Sequence, residues 1–247
     1  MSKPKCASES VPPCDLVSQE AEISDSCDAR SQGTRPAQER RLLSLKHDAI
    51  LLLGPTGAGK SPLGDLLAER GLNGRRCVHF DFGAQLRLAA AHGGEGLTDE
   101  DVAYVQKVLT EGALLEDETF YIARAILNGF MVANGVGEHD RVVLNGLPRH
   151  AGQARDVAQV LDVRMVIALE CTAEVVHERI AGNTGGDRTG RRDDSIEEIA
   201  RKLEIYAART HPLLDHYKAE GVQLRLISVG VNTSPTGIVT MLNEKED

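Results

Sequence analysis

One short segment of the sequence has the residue types and spacing of a phosphate-binding loop. It satisfies the pattern G-x-x-x-x-G-K-[ST] and consists of Gly54, Pro55, Thr56, Gly57, Ala58, Gly59, Lys60 and Ser61. An apolar run at 49–53 precedes it and a helical pattern at 62–70 follows it. Glycines let consecutive backbone N–H groups converge on phosphate oxygens, and the lysine adds a mobile positive charge. The segment therefore predicts a nucleotide site, in which the Ser61 hydroxyl is available to Mg²⁺.

The elements that must position this loop are predicted by an alternation of apolar runs and helical patterns. The runs are 49–53, 77–80, 141–144, 165–169 and 224–229. Several of them are apolar at consecutive positions, which is typical of strands that helices cover on both faces. This rhythm predicts a parallel sheet with crossover helices, so the expected fold class is α/β.

A helical insertion is expected between the second and third runs, because about sixty residues exceed what one crossover helix needs. Thr98 followed by Asp101 has the pattern of a helix N-cap, and a second helical stretch covers 116–133. The chain between 181 and 194 is polar and rich in glycine, which is typical of a mobile loop.

The last third of the chain should contain a helix that begins at Ser195. Ser195 and Glu198 have the spacing of a capping box, and an apolar stripe follows them. Pro212 should end or kink this helix, because proline lacks a backbone N–H and clashes with the preceding turn.

Composition limits the partners and the compartment. The chain has 247 residues, of which 41% are hydrophobic and 26% charged, so a globular domain is expected. The net charge of −9 opposes the basic surface that extended nucleic-acid binding needs. No run reaches the roughly 18 apolar residues of a membrane helix, and the beginning does not resemble a secretion signal. We expect a cytoplasmic protein with reduced cysteines, no nucleic acid and no membrane.

The domain organisation predicted from composition is a tail followed by one domain. Residues 1–45 are rich in serine, proline, glutamine and charge, with too few apolar side chains to offset the entropy of ordering. We interpret them as a flexible tail ahead of one domain at 46–247 that contains the phosphate loop. Histidines and cysteines show no metal-ligand spacing, so no structural zinc is expected.

Five segments, in order along the chain, resemble the adenylate kinase branch of the nucleoside monophosphate kinases. After the phosphate loop, Gly83-Ala84-Gln85-Leu86-Arg87 is similar to the family's G-D-M-L-R, and Gly112-Ala113-Leu114-Leu115-Glu116-Asp117-Glu118 is similar to its G-x-L-V-x-D-E. Asn145-Gly146-Leu147-Pro148-Arg149, with Gln153 four residues on, resembles D-G-F-P-R and its base-reading glutamine. Arg191-Arg192-Asp193-Asp194 resembles the R-x-D-D that closes the lid.

The resemblance implies a fold and an activity. The fold would be a P-loop three-layer α/β structure with a five-stranded parallel sheet, a monophosphate-binding insertion at 82–135 and a short lid at 181–194. The activity would be transfer of the γ-phosphate of ATP to a nucleoside monophosphate, with AMP the first candidate and Mg²⁺ accompanying ATP. We expect a monomer.

The resemblance also implies a role for each matching residue. The catalytic cations would be Lys60, Arg149, Arg191 and Lys202. ATP would be held by the phosphate loop, with Arg179 stacked on the donor adenine. The acceptor would contact Phe82, Arg87, Gly146, Arg149 and Gln153, and the metal would lie near Ser61 and Asn145.

Three departures from the family pattern keep other interpretations open. Asn145 stands in place of an acidic residue, and Asn183 and Lys202 each stand in place of an arginine. A second interpretation is therefore a nucleotide-binding protein with weak or no transfer activity. A third is a kinase for a small non-nucleotide acceptor, which the nucleotide-type acceptor segment 147–153 argues against.

Overall fold

The computed structural model describes residues 46–186 and 195–243. Five parallel strands form one sheet in the order β2-β3-β1-β4-β5. They are β1 (His47–Leu53), β2 (Cys77–Asp81), β3 (Arg141–Asn145), β4 (Leu161–Glu170) and β5 (Gln223–Ser228). The predicted α/β class and five-stranded parallel sheet are confirmed, and each predicted apolar run coincides with a strand to within a few residues.

Helices cover both faces of the sheet. In chain order they are α1 (Lys60–Arg70), α2 (Phe82–His92), α3 (Asp99–Glu111), α4 (Phe120–Ala133), α5 (Ala151–Val157), α6 (Ala173–Ala181), α7 (Ile196–Ile205), α8 (Leu213–Ala219) and α9 (Pro235–Asn243). No helix in the described ranges is both long enough and apolar enough to cross a membrane.

The central strand β1 separates two hydrophobic cores. Ala49, Leu51 and Leu53 join a cluster with side chains of α2 to α5 and α8, whereas Ile50 and Leu52 join a cluster with α1 and α9. Successive side chains of a strand point to opposite faces, so a strand that is apolar throughout needs a helical layer on each side. These two clusters make the molecule three layers thick.

Strand β4 begins earlier than the sequence predicts. The apolar run starts at Met165, but the strand starts at Leu161 and includes the polar residues Asp162 and Arg164. Its register against β1 shifts between Ala49 and Ile50. The first half of β4 is less buried than the second half. A strand with one exposed face alternates apolar and polar residues, so its start is not visible as an apolar run.

Three helices, α2 to α4, lie between β2 and β3, where the insertion was predicted. The cap at Thr98 is confirmed: Asp101 N donates to Thr98 Oγ1 at 3.2 Å, and Thr98 N donates to Asp101 Oδ2 at 2.9 Å. The stretch predicted at 116–133 is helical in two parts, a 3-10 turn at Asp117–Thr119 followed by α4.

Helix α7 begins at the predicted capping box of Ser195 and Glu198. It continues as a π-helical segment, Tyr206–Thr210, and Pro212 precedes the first residue of α8. The α-helical part therefore ends at Ile205 and the π-helical segment at Thr210, both ahead of Pro212. The predicted tail at 1–45 and most of the predicted lid, 187–194 with Arg191, lie outside the described residues.

Candidate active site

The phosphate loop follows β1 and requires glycine at its first position. Gly54 has φ +150°, and a Cβ there would lie 2.8 Å from the Leu169 carbonyl oxygen. Gly59, with φ 98°, precedes α1, whose first turn has no side-chain cap and no acidic residue. The first backbone N–H groups of α1 therefore keep their capacity for an anion, which the positive helix end also favours.

Lys60 lies at the first position of α1, with its side chain turned back over the loop. Its Nζ donates to the carbonyl oxygens of Gly54 at 2.7 Å and Pro55 at 2.8 Å. These bonds hold the ammonium group against the mouth of the phosphate loop. An ammonium group in this place adds positive charge where the helix end already supplies it.

A cavity of about 280 Å³ connects the phosphate loop with the segments that follow β2 and β3. Ligands bind at the carboxyl ends of the strands in open parallel sheets, and this cavity lies at that edge. Its charged lining consists of four cations and one carboxylate: Lys60, Arg87, Arg149, Lys202 and Asp81. Such a lining favours a ligand that carries several negative charges.

The acceptor segment after β3 places Arg149 and Gln153 together. Arg149 Nε donates to the Gly146 carbonyl at 3.0 Å, and Arg149 N donates to Gln153 Oε1 at 2.8 Å. Gln153 Nε2 donates to the Leu115 carbonyl at 2.7 Å, and its side chain is only 1% exposed. Burial lowers the pKa of the Arg149 guanidinium, and the nearby Asp81 carboxylate opposes this shift. In this arrangement Gln153 holds Arg149 in place with the oxygen that could otherwise contact a base.

Phe82 and Arg87 occupy the first turns of α2. Phe82 is 3% exposed and its ring stacks on Phe80 with 5.9 Å between the centroids. Phe82 is the first residue of α2, belongs to the hydrophobic core and also lines the cavity. Its predicted contact with an acceptor stays a prediction. Arg87 is exposed and lines the cavity about one turn later.

Asp81 is a functional candidate that sequence reasoning missed. Its Oδ2 accepts hydrogen bonds from Ser61 Oγ at 2.8 Å and Asn145 Nδ2 at 3.0 Å. Burial opposes ionisation, but hydrogen bonds from Ala84 N and Ser61 Oγ outweigh it and lower the pKa of the Asp81 carboxyl. Its position as the last residue of a strand, before an acceptor-type segment, is the sequence signal that could have identified it.

The donor set at this edge suits Mg²⁺ bound to a nucleotide. Ser61 offers a hydroxyl, Asp81 a carboxylate and Asn145 an amide, and Asn145 Nδ2 also donates to Ser61 Oγ at 3.0 Å. Mg²⁺ is commonly held through one or two carboxylates together with substrate phosphates rather than by an all-protein cage. In the described part of the chain, no group of three or more His, Cys, Asp and Glu side chains could hold a metal ion.

Arg179 lies on α6 behind the phosphate loop, with only 3% of its surface exposed. Its Nε donates to the Gly57 carbonyl at 3.0 Å, and its Nη1 donates to the carbonyls of Gly230, Val231 and Thr233 at 2.9–3.0 Å. The side chain therefore joins the loop to the segment after β5. Stacking on a donor adenine, which requires an open face of the guanidinium, stays a prediction.

The other three positions that the sequence analysis assigned to the lid side of the site differ in their placement. Lys202, on α7, lines the cavity, and its catalytic role stays a prediction. Asn183 follows α6 with φ 45°, a left-handed conformation that asparagine adopts more readily than arginine. Arg191 lies outside the described residues.

The π-helical segment connects α7 to both sides of the cavity. Thr210 Oγ1 donates to the Arg149 carbonyl at 2.9 Å. Arg209 forms a two-pronged ion pair with Glu116, with N–O distances of 2.7 and 2.8 Å. The sequence did not identify either contact, because each joins residues far apart in the chain.

Comparison with known proteins gives a consistent result over most of the chain. The family model described as adenylate kinase matches residues 52–222. The adenylate kinase of Synechococcus sp. (strain WH7803) is 33% identical over 199 residues, 78% of this chain and 95% of that protein. Those of Stenotrophomonas maltophilia (strain R551-3) and Xanthomonas campestris pv. campestris (strain 8004) are 32% and 31% identical, each over 73% of this chain and 91% of its own length.

Proposed function

The chain belongs to the adenylate kinase family, and from this premise we propose that it transfers the γ-phosphate of ATP to AMP, forming two molecules of ADP. An acceptor phosphate oxygen would attack the γ-phosphorus, and the bond from that phosphorus to the β–γ bridging oxygen would break. AMP is proposed as acceptor because the three relatives named above are adenylate kinases. At the level of the family, the chain is a nucleotide kinase.

The observation that carries the proposal is the charge of the cavity that joins the phosphate loop to segment 147–153. Four cations line it, Lys60 on the loop side and Arg87, Arg149 and Lys202 on the other sides. Two nucleotides that meet phosphate to phosphate bring several negative charges together, and phosphoryl transfer spreads charge over the equatorial oxygens. Preorganised cations lower the barrier of such a reaction.

Each cation has a distinct part in the proposal. Lys60 would contact the outer phosphates of ATP, while Arg87 and Arg149 would hold the acceptor phosphate. The planar guanidinium suits this task, because it presents parallel N–H donors to phosphate oxygens. Gln153 would keep Arg149 oriented through its bond to the Arg149 backbone.

No carboxylate is needed as a general base. The second pKa of a phosphate monoester is near 6, so the acceptor is already largely dianionic at neutral pH. Mg²⁺ that accompanies ATP would supply further positive charge against the charge that develops on the phosphates. Ser61 and Asn145 are the residues that the sequence assigns to it.

The test is ADP formation from Mg·ATP with AMP, UMP, CMP, GMP or dTMP supplied separately. We expect turnover with AMP and a loss of about 10²–10³-fold in kcat in Lys60→Ala, because a principal contact to the transferring phosphate is removed. Lys107→Ala is the matched control, since Lys107 is 66% exposed and its nearest ion-pair partner is Glu111 on the same helix.

Turnover with a different monophosphate would replace AMP as the acceptor. If none of the five gave ADP while ATP still bound, phosphotransfer to these nucleoside monophosphates would be excluded and the nucleotide-binding interpretation would be favoured. Equal losses in Lys60→Ala and Lys107→Ala would remove the assignment of Lys60.

A further inference from the structure

The carboxylate of Asp81 is shared between two tasks. Its Oδ1 accepts a hydrogen bond from Ala84 N at 3.0 Å, which caps the first turn of α2. Its Oδ2 accepts from Ser61 Oγ at 2.8 Å, and Ser61 immediately follows the lysine of the phosphate loop. The second oxygen therefore belongs to the phosphate side of the cavity.

The sheet brings this carboxylate to the loop. Asp81 and Asn145 are register partners at the ends of β2 and β3, and Asn145 is also the partner of Leu52 in β1. Asn145 is 5% exposed and donates to both Ser61 Oγ and Asp81 Oδ2 at 3.0 Å. Among the described residues that line the cavity, Asp81 is the one that carries negative charge.

Helix capping alone does not require a carboxylate here. Serine and asparagine cap helices about as well as aspartate, and a partly buried charge costs free energy unless it is compensated. Capping also uses only Oδ1, whereas Oδ2 contacts the loop hydroxyl. A carboxylate beside the loop serine has a general use in proteins with this loop, in which the serine or threonine and an aspartate at a strand end hold Mg²⁺.

We propose that Asp81 supplies the carboxylate that holds Mg²⁺ of bound Mg·ATP beside Ser61. The negative charge that the family resemblance assigns to position 145 is thus provided by the neighbouring strand, and Asn145 orients it. This inference rests on the proposed function, since it requires ATP in the phosphate loop. On this proposal, the asparagine at position 145 does not leave the site without a carboxylate, because Asp81 supplies one from the neighbouring strand.

The dependence of nucleotide affinity on Mg²⁺, called the coupling below, tests the proposal without measuring catalysis. The affinity of a non-hydrolysable β,γ-imido analogue of ATP would be measured by calorimetry, with Mg²⁺ and with EDTA. We expect Mg²⁺ to tighten binding to the parent protein, and Asp81→Asn to reduce this tightening by about tenfold or more. Affinity in EDTA should not fall, because the substitution removes a negative charge near the phosphates. Asp99→Asn, at an exposed carboxylate in the first turn of α3, is the matched control.

A charge-relocation variant separates the metal role from a structural one. Asp81→Ser combined with Asn145→Asp keeps a capping side chain on α2 and moves the carboxylate to β3. We expect this variant to recover most of the Mg²⁺-dependent tightening that Asp81→Asn loses. The amount of bound Mn²⁺ measured by electron paramagnetic resonance should likewise be high in the parent protein, low in Asp81→Asn and largely restored in the relocation variant.

Undiminished coupling in Asp81→Asn would overturn the proposal. Lost coupling that the relocation variant does not recover would assign Asp81 to structure alone and overturn it as well. Failure of the parent protein to bind the analogue both with Mg²⁺ and in EDTA would instead contradict the proposed function.

Discussion

The cationic side chains in and near the cavity differ in the contacts that hold them. This difference suggests which of them bind a ligand and which hold parts of the fold together. Lys60 and Arg149 donate to backbone carbonyls at the edge of the cavity, so each is placed where a phosphate could be reached. Arg179 instead donates to four carbonyls from two segments while it is 3% exposed. At the scale of single residues, these contacts support the hypothesis that Arg179 holds the phosphate loop, while its predicted contact with the donor adenine stays a prediction.

Arg179→Lys tests this distinction. Lysine cannot reproduce the planar set of donors, so buried carbonyls on both segments would lose partners. We expect the free energy of unfolding to fall by about 3 kcal/mol in urea titrations. Arg124→Lys, at an exposed arginine of α4, should change it by less than about 0.5 kcal/mol. Unchanged stability with weaker ATP binding alone would favour adenine stacking by Arg179.

At the scale of elements, the site depends on where helices begin. Helix α2 begins at the cap of Asp81 and carries Arg87, α7 begins at the Ser195 capping box and carries Lys202, and α1 begins at the phosphate loop itself. A helix start fixes the rotation of every side chain in the following turns. The caps thus help to determine which side chains point into the cavity.

The capping box of α3 gives a measurable case. Thr98→Ala removes the acceptor for Asp101 N and the donor to Asp101 Oδ2. We expect a loss of about 1 kcal/mol in the free energy of unfolding, together with faster hydrogen exchange in the first turn of α3.

The control is Thr110→Ala on the same helix, where the hydroxyl only donates to the Gln106 carbonyl one turn earlier. It should cost less than about 0.5 kcal/mol. Equal losses in the two variants would contradict a capping role for Thr98.

At the scale of the whole molecule, carboxyl groups with lowered pKa values lie in distant parts of the fold, so the stability of each of these parts should depend on pH. Hydrogen bonding lowers the pKa of Asp101 through Tyr121, of Glu116 through Arg209 and of Asp140 through Gly137 N. Burial opposes the shift at Asp48, but Arg75 and Arg164 outweigh it. These groups lie in the insertion and at the start of β1 and β3.

Stability should therefore fall in acid. The folded carboxyls have pKa values below the ordinary 3.8 of aspartate and 4.5 of glutamate, so the unfolded chain binds more protons in this range. Their contribution is complete above those values and is lost as the pH falls through the lower, folded pKa values. Urea unfolding between about pH 7 and pH 3 should show this decline.

Asp140→Asn provides the comparison for the acid response. Its carboxylate accepts from Gly137 N at 2.8 Å and pairs with Arg76 at 2.6 Å. The variant should lose stability less steeply below about pH 4, because one group that takes up a proton on unfolding is gone. Identical slopes in the two proteins would show that this carboxylate does not contribute.

Whatever depends on neighbouring residues in the chain was predictable from the sequence. The phosphate loop is one contiguous segment in which glycine conformations and a helix start make the anion site, and the caps at Thr98 and Ser195 span four residues each. The apolar runs likewise predicted a parallel sheet, because strands covered on both faces are apolar throughout.

Only the tertiary structure decided the contacts that join distant segments. Asp81 meets Ser61 across 20 residues of chain and Asn145 across 64, because β2, β3 and β1 are adjacent in the sheet. Arg179 finds carbonyls more than 50 residues away, at Gly230 and Val231. Every residue has a backbone carbonyl, so no residue type marks the carbonyls that Arg179 contacts. The strand ends that carry Asp81 and Asn145 are brought together by strand order and register, which no local pattern of residue types specifies.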